Sequence, residues 1–356
     1  MNDLVSDLLG QPREGTGNAQ TSDVGTSSEI KIVTCGLGGA GCNIVNRLLK
    51  AGVKGTEFVA VNTDGQHFKI IDDRIKKLLI GKSLTRGLGA GGDAAVGAKA
   101  AEVDRHLIEE AFNGAQLIFL AAGMGGGTGG GAISVAAQIA KEQGAIVVAM
   151  VTYPFQLERV RMAKAEEAIQ KVRQYCDSVI ILDNNQLVKL VPNLPMNEAF
   201  ALADSVLAKA IGGLVWTITQ PSMINIDFAD VRTIMVGGGV GFIAVGTGMG
   251  TNKVDAASDG VLKNKLLDVD FEGASGALIH ISGGTSLTIG DAVKAGEIIT
   301  EKMSQTANVK WGARIIPGYD DKIEIVAIVT GVKGASVVGR LEQKKETPYQ
   351  DLEMIG

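Results

Sequence analysis

Seven of the nine residues from Gly123 to Gly131 are glycine, and they follow directly on the apolar run LIFLAA. Ordering such a stretch loses a great deal of conformational entropy. A turn needs one or two glycines, so the excess predicts an offset from direct contact. Backbone amides at a helix start, with Thr128 adding a hydroxyl, are suited to several oxygens of a phosphate chain. Two related loops stand elsewhere: Gly36-Leu37-Gly38-Gly39-Ala40-Gly41 after KIVTC, and Gly87-Leu88-Gly89-Ala90-Gly91-Gly92-Asp93 after KKLLIG. Three glycine-rich loops at the carboxyl ends of parallel strands imply one phosphate chain wrapped from several sides.

The surrounding pattern supplies those strands. KIVTC, FVAVNTD, KKLLIG, AQLIFLAAG, AIVVAMVTYPF and SVIILDNN are continuously apolar, and they alternate with helical patterns such as AAVGAKAAEVDRHLIEEAF, AISVAAQIAKEQG and RMAKAEEAIQKVRQY. That alternation predicts an α/β fold with a parallel sheet covered on both faces. A long helix with a broad apolar stripe is expected over Met196–Gln220, connecting two halves. Beyond Val231 the runs TIMVGG, GFIAVG, GALIHISG and KIEIVAIVTG read as strands of a smaller α/β domain with a mixed sheet. The expected organisation is an N-terminal extension (1–28), a nucleotide domain (29–195), the connecting helix (196–220), a C-terminal domain (221–339) and a tail (340–356).

Several functions are disfavoured by composition. A net charge of −5 argues against a protein that neutralises a nucleic-acid backbone, so no nucleic-acid partner is expected. The uncharged run Thr233–Asn252 holds seven glycines and reads as two short strands, and no transmembrane segment is expected. Cys35, Cys42 and Cys176, with no secretory signal ahead of them, read as free thiols in a reducing cytosol. His67, His106 and His280 lack ligand spacing, and each reads as an ordinary surface or core side chain.

Two familiar phosphate motifs can be tested. Gly36 to Gly41 satisfies G-x-G-x-x-G, with Asp64 following 23 residues after Gly41, which fits an NAD-dependent oxidoreductase. That reading leaves the other two loops without a role. Gly81-Lys82-Ser83 would end a Walker A loop, but the required glycine five residues earlier is Lys76. The phosphates are therefore expected to be held by amides and helix ends, accompanied by Mg2+ or another cation.

GLGGAGCN, VNTD, GLGAGGD, GMGGGTGGG, PNLP and INIDFADVRTIM, in this order, resemble FtsZ, the tubulin-like GTPase of prokaryotic division. The resemblance covers residues 30 to 338, and LDNNQLVKLVPNLP and GASGALIHISGG look most like the second archaeal class. It implies a tubulin/FtsZ-like fold, binding of GTP and GDP, and assembly-dependent hydrolysis in the cytoplasm at the division site. Carried over by motif, Gly38, Gly39, Ala40, Gly41, Cys42 and Asn43 would contact the α- and β-phosphates. Gly125, Gly126, Gly127, Thr128 and Gly129 would wrap the triphosphate, and Ala90, Gly91 and Gly92 would lie by the γ-phosphate. Glu158 and Arg161 would reach ribose and phosphate. One residue fewer stands here than in the bacterial pattern, so Arg159 remains an alternative. Asp204 would accept from guanine, and Phe200, one helical turn earlier, would stack on the base. Gly130 replaces a usual Thr or Ser, and Cys42 a common Asn; these departures bear on rate and affinity.

Asn225, Asp227 and Asp230 lie just beyond the long helix. They read either as a capping and turn cluster or as groups that position a hydrolytic water. A helix of that length spans roughly 37 Å, so the set would not reach its own nucleotide. It would reach that of the next subunit, and a contact of that kind that does not close gives a filament. The resemblance implies this head-to-tail protofilament, with Asp227 and Asp230 orienting the water and Asn225 supporting them. It also implies a membrane-tethering division adaptor that docks on the apolar tip of the tail or on the N-terminal segment MNDLVSDLLG. A filament for cell shape or regulation is the alternative function.

Overall fold

The computed structural model describes residues 30–219, 222–224, 226–236, 239–263 and 269–334. The expectations for the N-terminal segment, the C-terminal tail and Asn225 lie outside the described residues.

The first half alternates as its pattern requires. Strands β1 (Ile32–Leu37), β2 (Glu57–Asn62), β3 (Lys76–Leu79), β4 (Leu117–Gly123), β5 (Ile146–Tyr153) and β6 (Ser178–Asp183) form a parallel sheet in the order β3-β2-β1-β4-β5-β6. The helices between them are α1 (Gly38–Lys50), α2 (Lys82–Thr85), α3 (Ala94–Val103), α4 (Arg105–Phe112), α5 (Gly127–Glu142) and α6 (Arg159–Val172). Alternation along β4 shows why the strands are apolar throughout. Leu117, Phe119 and Ala121 enter the core under α1, and Ile118, Leu120 and Ala122 the core on the other face with α5. The strand order reverses between β1 and β4, where Leu37 stands opposite Ala122. In open sheets of this kind, ligands bind outside the carboxyl ends of the strands at that reversal.

After β6 come α7 (Asn184–Leu190) and α8 (Met196–Thr219). Leu207, Ile211, Leu214 and Val215 form the buried stripe of α8 in the core shared with α1. By length and composition α8 could cross a bilayer; here it serves as a core helix. Next are α9 (Phe228–Met235), β7 (Gly239–Met249), α10 (Lys253–Leu262), β8 (Val269–Asp270), β9 (Gly276–Gly283), α11 (Ile289–Thr300), β10 (Asn308–Ile315), β11 (Lys322–Thr330) and β12 (Lys333–Gly334). β7 pairs parallel with β6 through Ser178 and Val179. Antiparallel β11 and β9 and then parallel β10 follow, so one ten-stranded sheet runs through both halves; β8 and β12 pair separately.

Four local readings change. Thr233 to Met235 of TIMVGG end α9 rather than form a strand, and Val231, Ile234 and Met235 are buried at helical spacing. β10 escaped notice because its buried residues are small (Gly312, Ala313) and Lys310 and Arg314 interrupt the apolar signal. The pattern AAVGAKAAEVDRHLIEEAF breaks into α3 and α4 at Asp104, whose carboxylate accepts from the Gly81 amide at 2.6 Å. The third glycine loop follows the single turn of α2 rather than β3 directly.

Candidate functional site

The first two glycine loops flank the strand reversal. β1 passes into α1 at Leu37, and β4 reaches α5 through Gly123 to Gly126; neither helix has a side-chain cap. Their first amides are therefore free of side-chain partners, at the end of a helix dipole that favours an anion. The loops touch: Gly38 lies against Gly129, and Gly127 against Ala90 of the third loop. That third loop is sewn to the end of β2 by Gly65 N–H to Gly87 O (3.0 Å) and Gly89 N–H to Thr63 O (3.1 Å). Lys164 of α6 donates to Gly92 O at 2.7 Å. All three loops thus converge.

Part of the glycine excess has another cause. A Cβ on Gly41 would sit 2.1 Å from Ala121 O, and one on Gly131 would sit 2.0 Å from Ala94 O. These glycines let α1 approach β4 and α5 approach α3 at backbone distance. Gly126 and Gly130 have no such neighbour, the nearest atoms standing at 3.8 and 3.7 Å. Thr128 is also engaged within the protein, its hydroxyl 2.6 Å from that of Thr63.

A cleft of about 630 Å³ opens from this junction and is bounded by Ala40, Gly123, Glu158, Arg161, Phe200 and Asp204. Arg161, and not Arg159, lines it; Arg161 pairs with Glu158, which also accepts from the Phe155 amide at 3.2 Å. Phe200 meets Phe155 edge to face, with centroids 5.8 Å apart at 65°. Phe155, Asn184 and Asn185 were not singled out in the sequence. Asn185 donates to Pro154 O (3.3 Å) and Asp183 Oδ1 (2.6 Å) and accepts from the Gln156 amide (2.8 Å), fixing the cleft's rim. The LDNN at the end of β6 was the available signal.

Asp204 stands in the largely apolar α8, and burial pushes its carboxyl up to about 6. The opposing influence is Arg47 of α1, whose Nη2 lies 3.4 Å from Asp204 Oδ2. Cys42 turns its thiol into the core toward Gly36 O and Val61 O, each at 3.6 Å, and burial pushes it up to about 12. The residue is fully buried, so its thiol is closed to a ligand. Asn43 and Ala40 are exposed beside it, as are Gly91 and Gly92, while Gly39 and Gly126 are half-buried. His67 lies beside Gly39, and its buried Nε2 has no hydrogen-bond partner among the described residues.

Asp227 and Asp230 are remote from this cleft along the chain. Asp227 caps α9, accepting from the Asp230 amide at 2.7 Å, while Asp230 accepts from the Asp227 amide at 3.4 Å. The capping alternative is thus realised. Lys310 of β10 reaches Asp230 at 2.9 Å and holds that carboxyl below its ordinary range. α8, about 36 Å long at 1.5 Å per residue, carries Phe200 and Asp204 of the cleft near its start, and this pair follows its other end in the chain. Among the described residues, no group of three or more His, Cys, Asp or Glu is placed to hold a metal ion.

The family described as "Tubulin/FtsZ family, GTPase domain" matches residues 31–192, and "FtsZ family, C-terminal domain" matches residues 239–333. Cell division protein FtsZ 2 of Methanocaldococcus jannaschii is 52% identical over 315 residues, covering 88% of this chain and 83% of that protein. Cell division protein FtsZ 2 of Halobacterium salinarum is 48% identical over 97% of this chain and 88% of its own length. A solved FtsZ dimer from M. jannaschii aligns over 99% of both chains with a TM-score of 0.79 and 34% identity. The oxidoreductase reading of Gly36 to Gly41 falls with these matches. With its converging glycine loops, the cleft beyond them and both family regions in place, the chain belongs to the FtsZ family of tubulin-like GTPases.

Proposed function

We propose that this chain binds GTP with the triphosphate in the three glycine loops and guanosine in the adjoining cleft, and hydrolyses it within head-to-tail filaments that serve cell division. The observation that carries the nucleotide pose is continuity: Ala40 and Gly123 belong to the glycine loops and also line the cleft. A ligand with a phosphate chain at one end and a planar base at the other matches that shape. Amides of Gly38 to Asn43 take the α- and β-phosphates, Gly125 to Gly129 wrap the triphosphate, and Ala90 to Gly92 lie by the γ-phosphate. Glu158 and Arg161 meet ribose and phosphate, Phe200 stacks on the base, and Asp204 accepts from its N1–H and amino group. A divalent cation accompanying the nucleotide would take its oxygens mainly from the phosphates, given the scattered acidic residues.

Hydrolysis is assigned to Asp227 and Asp230 of the next subunit, with Asn225 beside them. Support comes from their place beyond α8 and from Asp230's ionised state. Self-association is supported by the solved M. jannaschii FtsZ dimer, and the relatives' names support a role in cell division, which we place at a cytoplasmic site. The tail or the N-terminal segment is the proposed docking point for a membrane-tethering adaptor.

Complementation tests the assignment. Asp227→Ala binds GTP but does not turn it over; Gly126→Trp, filling the phosphate site, binds none. Mixed, the two regain phosphate release, because the second brings carboxylates to the first one's GTP. A mixture as inactive as its components overturns the shared-site assignment.

A further inference from the structure

We propose that Arg47 is a positioning residue that sets which purine the cleft accepts, holding Asp204 through one oxygen so that it stays a pure hydrogen-bond acceptor. This rests on the reading of Asp204 as the residue that meets the base.

The geometry places the pair in the wall of the cleft. Asp204 lines the cleft, while Arg47 lines a second cavity of about 790 Å³ behind it, with Trp216 and Arg314. Arg47 Nη2 approaches Asp204 Oδ2 at 3.4 Å, and the buried Arg47 Nε has no hydrogen-bond partner among the described residues. The helix whose first turn lies among the glycine loops therefore reaches, with its third turn, the residue at the base end of the cleft.

Chemistry makes the protonation state of that residue decisive. An ionised carboxylate only accepts, and matches the two donors of guanine, N1–H and the amino group. A protonated carboxyl offers one donor and one acceptor, and matches adenine, which presents N1 as acceptor and its amino group as donor. Burial favours the neutral form. Among the charged groups around Asp204, Arg47 alone opposes burial: across the cleft Glu158 and Arg161 pair with each other. The facing end of α7 supplies neutral Asn184, Asn185 and Val188. On α8 itself, Phe200 and Ala208 stand one turn to either side, and Lys209 faces the second cavity. Removing the guanidinium moves protonation of Asp204 to higher pH, so guanine preference is lost first on the acid side.

The test measures equilibrium binding of GTP and ATP to the nucleotide-stripped full chain from pH 5.5 to 8. Wild type, Arg47→Met, Arg47→Lys and Asp204→Asn are compared. The ATP-to-GTP ratio within each variant is insensitive to any misfolded fraction. Arg47→Met is expected to lower the preference for GTP at least tenfold at pH 6.5 and to shift its pH midpoint upward by about one unit; Arg47→Lys restores both. Asp204→Asn, a permanent mimic of the neutral acid, gives a low and pH-independent preference. An Arg47→Met profile that coincides with wild type, while Asp204→Asn changes the ratio, overturns the role of Arg47. An unchanged ratio in Asp204→Asn overturns the base reading itself.

Discussion

Asp227 and Asp230 close the first turn of α9 on each other: each carboxylate accepts from the other's amide, at 2.7 and 3.4 Å. The groups assigned to hydrolysis in the neighbouring subunit therefore also hold a helix start in their own, and substitutions must separate the two effects. Asp227→Ala should lose the cap and about 1 kcal/mol of stability. Asp227→Ser, which can still cap, should stay within about 0.5 kcal/mol of wild type. Both should retain GTP and lose phosphate release by about 100-fold. Urea unfolding alongside a release assay separates them; a Ser variant that hydrolyses normally would show that capping is all Asp227 does.

Lys310 holds Asp230 in its ionised form from the neighbouring strand. Lys310→Met should change stability by less than about 1 kcal/mol, since the pair is partly exposed. It should also move the acid limb of the turnover profile to higher pH, with GTP affinity unchanged. Steady-state phosphate release from pH 5 to 7.5, at saturating GTP and fixed protein concentration, reads that shift.

Phe200 is 40% exposed and stands edge to face with Phe155 in the cleft. Phe200→Ala should weaken nucleotide binding by roughly 10-fold, the scale of one base–aromatic contact, with little loss of stability. Titration with a fluorescent GTP analogue and a thermal melt of the stripped protein make the comparison.

Two neighbouring glycines of α5 should respond in opposite directions. Gly130 has room for a Cβ, and Gly130→Ala should stabilise the chain by about 0.5–1 kcal/mol through helix propensity. Gly131→Ala would drive a methyl into Ala94 O and should destabilise by about 2 kcal/mol or more. Denaturant midpoints of the two variants decide the matter.

Acid should act on this protein through His280. Burial, reinforced by Arg314, pushes it from 6.5 down to about 4, and its Nε2 lies 3.0 Å from the Ser222 hydroxyl. The unfolded chain binds this proton at a higher pH than the folded one. The stability contribution is therefore complete above about 6.5 and is lost as the pH falls toward 4, by roughly 3 kcal/mol. Asp204, raised to about 6 when folded, contributes with the opposite slope. His280→Gln should remove the acid loss, so that its unfolding midpoint falls less than that of wild type between pH 6.5 and 4.5.

The alternation of apolar strands with amphipathic helices, the glycine loops at strand ends and the long α8 were legible in the sequence because each is a local pattern. The continuous apolar run of β4 and the run of apolar positions in α8 depend only on near neighbours. The resemblance to FtsZ also pointed to Glu158, Arg161, Phe200 and Asp204, which one cleft brings together. Glycine was harder to interpret, since the same residue serves both an anion and a close backbone approach, as at Gly41 and Gly131.

Sequence alone therefore determined which segments become strands and helices around a glycine-rich edge, while most of the cleft's lining, Phe155, Asn184 and Asn185 included, came only from the structure. Tertiary structure alone decided that Arg47 meets Asp204 across 157 residues, that Lys310 reaches Asp230, and that the Cys42 thiol turns inward. Those pairings depend on helix docking and strand register. Both are set by the packing of the whole sheet, and no local periodicity encodes them.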